Sequence, residues 1–304
     1  MAGTMDFQDD DLANLPEGIV ISTMSATCQL GTTVDIKVVD KLIRLSDDAV
    51  LSIKFGDKSR SLEVEKRRAE VLFNIDAALA AVKLEEGGFF SQFENHNHAI
   101  TNLINAAKSS ITDVGKKSKK KKKTKKMTSF FNQITMEIRT VAIKKVNVKL
   151  FCNGSIQMTG CKTVTDCNIA IQKLIAILRG IGKVEKVVSD EENMRMHNFK
   201  IDMINSNFKI NYKINRRQLH NIVGKQPGIY SRYEPNIHAC VNIKYFGDGD
   251  NRKGISIFAF ESGNIIITGA KNRNHIMTAH KFITDFLDSH DVKKIDIEKF
   301  MVKT

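Results

Sequence analysis

The feature that most constrains this chain of 304 residues is an internal repeat. The segment LFCNGSIQMTGCK at 150–162 recurs as AFESGNIIITGAK at 259–271, with a constant offset of 109 between matched residues. Each copy follows residues that alternate between apolar and polar, as in half-buried strands, and precedes an apolar stripe of helical period. Two such tandem units predict an α+β fold with pseudo-two-fold symmetry, in which one sheet is shared and the helices lie on one face.

The alternation also separates the two faces of the predicted sheet. Seven apolar side chains are expected to point toward the helices: Leu150, Ile156, Met158, Ile257, Ala259, Ile265 and Ile267. Eight others are expected to point away: Lys149, Phe151, Gln157, Thr159, Phe258, Phe260, Ile266 and Thr268. A sheet face that exposes Phe and Ile among polar residues indicates a binding surface. The alternative is that a tail, an inserted segment or a second subunit covers it.

The positive charge is concentrated in one segment. The chain carries a net charge of +13, and Lys116 to Lys126 holds nine lysines and no acid; without that block the charge falls to +4. Such a run predicts a disordered, solvated loop that serves as a nuclear-import signal or a nonspecific phosphate clamp. The alternative is a solubilising linker.

Several function classes have no support in the sequence. The sequence contains no apolar run of about 18 residues, so no membrane span is expected. Its start is acidic, so no secretory signal is expected. Five cysteines without a C-x-x-C pair favour a reducing compartment over a disulfide framework. The pair His96 and His98 lacks further metal ligands, and GDGDN at 247–251 places Arg252 where a calcium loop needs its third ligand. We therefore expect no metal, no cofactor, no catalytic residue and no enzyme.

A family resemblance rests on four features of the second half. SRYEP at 231–235, the paired turns FCNG and FESG, the strand ends TGCK and TGAK, and the helices after them resemble the core domain of the TATA-box-binding protein family. The resemblance covers 19–45 and the chain from Phe131 onward. It implies a saddle, a curved antiparallel sheet with helices on the convex face, whose concave side sits on the minor groove of AT-rich double-stranded DNA. In that family, apolar side chains enter base steps and kink the duplex.

The resemblance assigns the wedges that enter the base steps. The intercalating Phe pairs of the family fall on Phe131 and Phe151 in repeat one, and on His238 and Phe260 in repeat two. His238 is a departure, because its ring is smaller, polar and titratable.

Other positions of the family's interface are carried over in the same way. The groove threonines match Thr159 and Thr268, and a groove valine matches Ile266, with Gln157 as its counterpart. The family's central asparagines are replaced; the nearest residues are Ile19 or Gly18 in repeat one, and Met203 with Asn205 in repeat two. A phosphate-contacting Arg is replaced by Glu137, and its repeat-two equivalent is Lys244. The remaining expected DNA contacts are Lys149, Phe258, Ile21, Thr23, Lys162 and Lys271.

The resemblance also divides the chain. Residues 1–18 are expected to form an acidic disordered tail, 19–183 repeat one and 184–304 repeat two. Residues 46–129 have no counterpart in the family and are interpreted as an insertion between the first helix and second strand of repeat one. Long surface insertions cost little closure entropy, so a short Gly/Ser loop in place of 46–129 is expected to leave a folding protein.

The resulting hypothesis is a transcription initiation factor that binds and bends AT-rich promoter DNA as a monomer. Tyr233, Glu234 and Pro235 match the family's loop for the general transcription factor B, so a B-like partner and the RNA polymerase machinery are expected. The alternatives are an architectural or regulatory protein with relaxed specificity, and a protein-interaction scaffold. The expected location is the nucleus, or else a cytoplasmic viral replication site or the virion. The abundance of Lys, Ile and Asn is typical of an AT-rich genome, as in a large DNA virus or a protist.

Overall fold

The alternating segments form one antiparallel sheet of eleven strands among the residues that the structure describes. This structure, a computed structural model, describes residues 12, 14–85, 131–141, 144–247 and 254–293. The strands are β1 (Val20–Gln29), β2 (Val50–Phe55), β3 (Lys58–Ser61), β4 (Gln133–Arg139), β5 (Lys145–Phe151), β6 (Ser155–Cys161), β7 (His197–Lys209), β8 (Tyr230–Arg232), β9 (Cys240–Tyr245), β10 (Ile255–Phe260) and β11 (Asn264–Ala270). The helices are α1 (Ile36–Leu42), α2 (Leu62–Glu85), α3 (Val164–Gly182), α4 (Arg216–Val223) and α5 (Arg273–Ser289).

The sheet has two equivalent halves that meet at its centre. Outward from the middle, the strand order is β1-β6-β5-β4-β2 in one half and β7-β11-β10-β9-β8 in the other, with β3 added at the edge of the first half. Met24 pairs with Cys161 and Ile204 pairs with Ala270, and the partners Cys161 and Ala270 are related by the offset of 109. Met24 and Ile204 also pair with each other across β1 and β7. The pseudo-two-fold axis therefore passes through this pair, and the predicted repeat is confirmed.

The helices cover one face and the core lies beneath them. All seven side chains predicted to point toward the helices are buried, and all eight predicted to point away are partly or fully exposed. α3 lies over β4, β5 and β6, and α5 lies over β10 and β11. The predicted stripe of α5 is buried throughout: Ile276, Ala279, Ile283, Phe286 and Leu287. The α+β fold with helices on one face is thus confirmed.

The turn glycines of the repeat have a steric role. Gly154 and Gly263 have φ angles of 80° and 84°, in the left-handed region that favours glycine. A Cβ at Gly154 would lie 2.0 Å from the carbonyl oxygen of Thr32, and one at Gly263 would lie 2.6 Å from that of Tyr212. Each turn therefore packs directly against the loop that follows the central strand of its own repeat.

Two predicted boundaries differ from the structure. β2 lies within the predicted insertion 46–129, yet it pairs with β4 as β8 pairs with β9, and it buries Val50 and Ile53 in the core. The added segment therefore begins after β2. The predicted tail 1–18 is ordered at its end, since Leu15 packs against the core and Arg273 donates two hydrogen bonds, of 3.2 and 2.8 Å, to the carbonyl oxygen of Asn14.

Some predictions fall on residues outside the described part of the chain. These are the tail residues 1–11, the pair His96 and His98, the lysine block Lys116 to Lys126, and most of the GDGDN segment at 247–251 together with Arg252. Among the described helices, none is long and apolar enough to cross a membrane.

Candidate nucleic-acid interface

The face of the sheet opposite the helices, called the open face below, carries most of the candidate residues. Its partly or fully exposed side chains come from both halves of the sheet and follow the pseudo-two-fold axis. In repeat one they include Thr23, Ser25, Thr27, Glu137, Asn147, Lys149, Phe151, Gln157 and Thr159. In repeat two they include Met203, Asn205, Asn207, Lys244, Ser256, Phe258, Phe260, Ile266 and Thr268.

The repeat-one corner of the open face is aromatic. Phe151 ends β5 and pairs with Gln133, which lies two residues after Phe131. Register thus brings both predicted wedges to one end of the sheet. Phe131 is 63% exposed, and its ring meets that of Phe55 edge-on, with centroids 5.8 Å apart and an interplanar angle of 84°.

The repeat-two corner has the same register but a different side chain. Phe260 pairs with Cys240, which lies two residues after His238, so His238 occupies the position equivalent to Phe131. The His238 side chain is exposed, and its backbone N–H donates to the carbonyl oxygen of Glu234 at 2.8 Å. Among the described residues, no ring contacts the imidazole of His238. The two corners are equivalent in position and unequal in chemistry.

The centre of the open face corrects one expectation from the sequence. Because Met24 and Ile204 are equivalent, Thr23 is the counterpart of Met203, and Ser25 is the counterpart of Asn205. The expected positions Ile19 and Gly18 are wrong. Ile19 is buried in the core.

A polar network lies beside the axis in repeat two. The hydroxyl of Thr268 donates a hydrogen bond to Asn205 Oδ1 on the neighbouring strand and lies 3.6 Å from the sulfur of Met203. The Ser22 hydroxyl donates to the carbonyl oxygen of Asn205 at 3.0 Å. These contacts fix the orientation of Thr268, one of the two predicted groove threonines.

One predicted contact lies on the wrong side of the sheet. Ile21 pairs with the fully buried Ser206 and packs against the core, whereas its neighbour Val20 pairs with the exposed Asn207 and is itself 57% exposed. A register shift between Ile21 and Thr23 reverses the alternation at this point. Val20 therefore takes the place on the open face that the sequence pattern assigned to Ile21.

Charged groups also line the open face. Glu137 accepts hydrogen bonds from the Ser52 hydroxyl at 3.0 Å and from Lys145 Nζ at 2.9 Å. Asp202 was not anticipated from the sequence; it lies where the β1–β7 register shifts, and its Oδ1 accepts from the Thr27 hydroxyl at 3.3 Å. No pattern signals a bulge of this kind.

Basic side chains lie on the same face as Glu137 and Asp202 or at the ends of its strands. Lys162 and Lys271 are exposed at the ends of β6 and β11, as expected, and Lys149 lies in mid-strand on the open face. Lys244 Nζ donates to the Ser256 hydroxyl at 2.9 Å.

The predicted partner loop is partly packed and partly exposed. The Arg216 guanidinium lies over the Tyr233 ring, with its Cζ atom 5.5 Å from the ring centroid. The centroids of the Tyr233 and His220 rings are 6.2 Å apart. Arg232 Nε donates to Glu234 at 2.6 Å. Tyr233 therefore shapes the loop, while the surface that a partner would meet is formed by Pro235, Asn236 and Ile237, the last 68% exposed.

The cysteines of the core are not arranged for nucleophilic chemistry. Burial raises the pKa of Cys28 to about 12. A hydrogen bond with Cys161, together with burial, raises the pKa of Cys167. These thiols stay neutral and behave as small apolar side chains. Within the described residues, no group of three or more His, Cys, Asp or Glu is placed to hold a metal ion.

Comparisons with known proteins point to one family. The family model described as "Transcription factor TFIID (or TATA-binding protein, TBP)" matches residues 111–181 and 198–290, more than half of the chain. The match does not include β1, α1 or β2, whose equivalence to β7, α4 and β8 follows from strand order and register.

Individual relatives agree with this match. The TATA-box-binding protein-like protein of Acanthamoeba polyphaga mimivirus is 35% identical over 299 residues, which span 92% of this chain and 67% of that protein. The TATA-box-binding protein of Saccharomyces cerevisiae is 27% identical over 153 residues, 50% of this chain and 55% of the relative. Among solved structures, Methanococcus jannaschii TBP covers 90% of this chain and 100% of its own, at 16% identity and a TM-score of 0.49. The chain thus spans about two thirds of the viral relative and little more than half of the yeast one.

Proposed function

Because the chain belongs to the TATA-binding protein family, we propose that it is a transcription initiation factor that binds and bends AT-rich promoter DNA through the minor groove. The observation that carries this proposal is the open face itself. It joins two equivalent half-surfaces, each with a Phe at its outer corner and a Thr beside the axis. A pseudo-symmetric surface of this kind is matched to the two strands of a duplex.

The chemistry of the open face favours A·T pairs. In the minor groove, A·T pairs present only acceptor atoms, whereas G·C pairs add the protruding amino group of guanine. Thr159 and Thr268 offer small hydroxyls near the centre, and Ile266 and Phe258 offer apolar area beside them. Such a surface fits closely against A·T pairs and clashes with the guanine amino group.

The corners supply the means of bending. An apolar ring that enters a base step unstacks it and kinks the duplex, and the bend then brings more protein surface onto the DNA. Phe131 with Phe151, and His238 with Phe260, stand at the two ends of the open face, where such kinks would form. Sequence-dependent ease of bending adds specificity without base contacts.

A second candidate function is supported by the acids of the open face. Glu137 and Asp202 lie where a DNA-binding surface gains from neutral or basic groups, and Gln157 replaces an apolar side chain. These residues favour an architectural or regulatory DNA-binding protein with relaxed sequence specificity.

The proposed protein partners follow from the exposed side of the loop at 233–238. A B-like general factor would contact Pro235 and Ile237 and bring in the RNA polymerase machinery. The proposed location is the nucleus, with a viral replication site or the virion as the alternative, because one relative is viral.

A gel-shift series tests these functions. Duplexes that are AT-rich with a TATA-like order, AT-rich with scrambled order, and GC-rich are compared at two salt concentrations. An initiation factor separates all three, and an architectural protein binds both AT-rich duplexes alike. Binding to none of them would leave only a protein-interaction scaffold.

A further inference from the structure

The two halves of the sheet differ in the segment that leads to the wedges Phe131 and His238. In repeat two, β8 and β9 are joined by residues 233–239, and His238 lies in this short loop. In repeat one, β2 and β4 are joined by residues 56–132, and this connection begins with a hairpin, β2–β3, that repeat two lacks in its described part. β3 pairs with β2 from Ser52 to Phe55.

The hairpin turn lies directly against Phe131. A Cβ placed on Gly56 would come within 2.5 Å of a ring carbon of Phe131, so the ring touches the backbone of the turn. The Phe55 ring also contacts the Phe131 ring, edge-on with centroids 5.8 Å apart. Phe55 is itself partly buried against the core, so the support is continuous with the body of the protein.

His238 has no equivalent support from the part of the chain that the structure describes. The residues before it are exposed, including Pro235 and Ile237, and its backbone closes a single turn onto Glu234. A side chain that is already held in its bound position loses less conformational freedom on binding than one that is free. The wedge of repeat one is therefore preorganised, and that of repeat two is not.

We propose that Phe55 and Gly56 are positioning residues for the wedge Phe131, so that repeat one unstacks its base step more strongly than His238 unstacks the step of repeat two. This inference rests on the proposed function. Its consequence is a bend with unequal kinks, made by a sheet that is otherwise two-fold symmetric.

The test uses the full chain and a palindromic AT-rich duplex with 2-aminopurine at both kink steps, where fluorescence rises on unstacking. Phe131→Ala should lose more of the fluorescence rise than His238→Ala. Phe55→Ala should reduce the fluorescence rise by the same amount as Phe131→Ala. It should also weaken DNA binding by about two- to tenfold, the range for an aromatic pair. In the Phe131→Ala background, Phe55→Ala should change nothing further.

Gly56→Ala is a second variant that leaves Phe55 in place and displaces the Phe131 ring. Gly228→Ala is its matched control, because Gly228 also has a positive φ, 73°, but has no atom within 4 Å of an added Cβ. Gly56→Ala should reduce the fluorescence rise and Gly228→Ala should not. The fluorescence rise that remains from the repeat-two kink step shows that each variant is folded.

Two outcomes would overturn the inference while leaving the proposed function intact. One is a wild-type fluorescence rise that is insensitive to Phe55→Ala and Gly56→Ala. The other is an equal loss from Phe131→Ala and His238→Ala. A wild-type protein that binds the duplex without any rise, or does not bind it, would refute the proposed bending function and the inference with it.

Discussion

Glu137 and Lys244 occupy equivalent positions on the open face, so the pseudo-two-fold axis relates two side chains of opposite charge. Glu137 pairs with Asn147 and Lys244 pairs with Ser256, and these two partners, Asn147 and Ser256, are related by the repeat offset of 109. Lys145 neutralises part of the Glu137 charge at 2.9 Å, whereas among the described residues Lys244 bonds to the Ser256 hydroxyl and to no acid. The repeat-two half therefore carries a positive charge at the point where the repeat-one half carries a partly neutralised negative charge.

This relationship predicts opposite effects from the same substitution. Glu137→Gln keeps an acceptor for Ser52 and removes the charge, so DNA affinity should rise. Lys244→Gln should lower it. One unit charge at 4 Å in water is worth about 1 kcal/mol, or roughly fivefold in affinity. Fluorescence anisotropy at low and high salt measures both effects, which should shrink together as salt is added. Equal shifts of the same sign would contradict the proposed docking of both halves on DNA.

The wedges Phe151 and Phe260, at the ends of β5 and β10, give a prediction that separates DNA binding from folding. Phe151 and Phe260 lie on the open face, so changing both to Ala should abolish DNA bending and most of the affinity with little loss of stability. Leu150→Ala is the matched control from the buried side of the same strand. It should cost about 2–5 kcal/mol of stability. A bending assay and a thermal melt on both proteins decide, and a double mutant that unfolds or bends DNA normally would contradict the assignment.

How far the sequence predicts this molecule depends on how regular each strand is. β5 and β10 alternate with period two throughout, and β6 and β11 do so as far as Thr159 and Thr268, before the breaks at Gly160 and Gly269. Every predicted face in these regular stretches is correct. At β1 the same reasoning fails, because a register shift after Ile21 reverses the alternation and no residue type marks the shift. Asp202 was missed for the same reason. Local patterns carry a strand's period, but bulges depend on pairing with a distant strand.

β2 was assigned to the insertion because the family resemblance showed no counterpart for 46–129, although the residues of β2 alternate, and its true place in the sheet yields a prediction. Replacing residues 46–129 by a Gly/Ser loop removes the buried Val50 and Ile53 and leaves β4 at a sheet edge. We expect that protein to lose its cooperative melting transition. Replacing only 62–129 keeps the hairpin and should leave the transition in place, because loop length adds little closure entropy. Calorimetry of both proteins tests this, and identical melting of the two would show that β2 is not part of the cooperative unit.

His280 predicts an acid-side loss of stability. Its ring packs edge-on against Phe208 at 4.5 Å, and burial lowers the pKa of the imidazole below its ordinary value of 6.5, while Asp285 partly opposes this shift. The unfolded chain then binds the proton more readily than the folded one, so stability falls as the pH drops from 6.5 toward the lower folded value. His280→Leu should flatten this part of the urea-unfolding profile, and Asp285→Asn should steepen it. A wild-type profile that matches His280→Leu between pH 7.5 and 5.5 would contradict the assignment.

The lysine block Lys116 to Lys126 should raise DNA affinity without adding specificity. The block contains nine lysines and no acidic residue. Lysines that neutralise DNA phosphates release bound counterions, and they do so for any base sequence. Each phosphate contact contributes about 0.9 to the slope of log affinity against log salt. Deleting the block should therefore flatten that slope and leave the ratio of AT-rich to GC-rich affinity nearly unchanged, since the groups proposed to read the bases lie on the open face. Filter binding on both duplexes across a salt series measures the two quantities separately. An unchanged slope together with a changed ratio would show that the block reads sequence instead of charge.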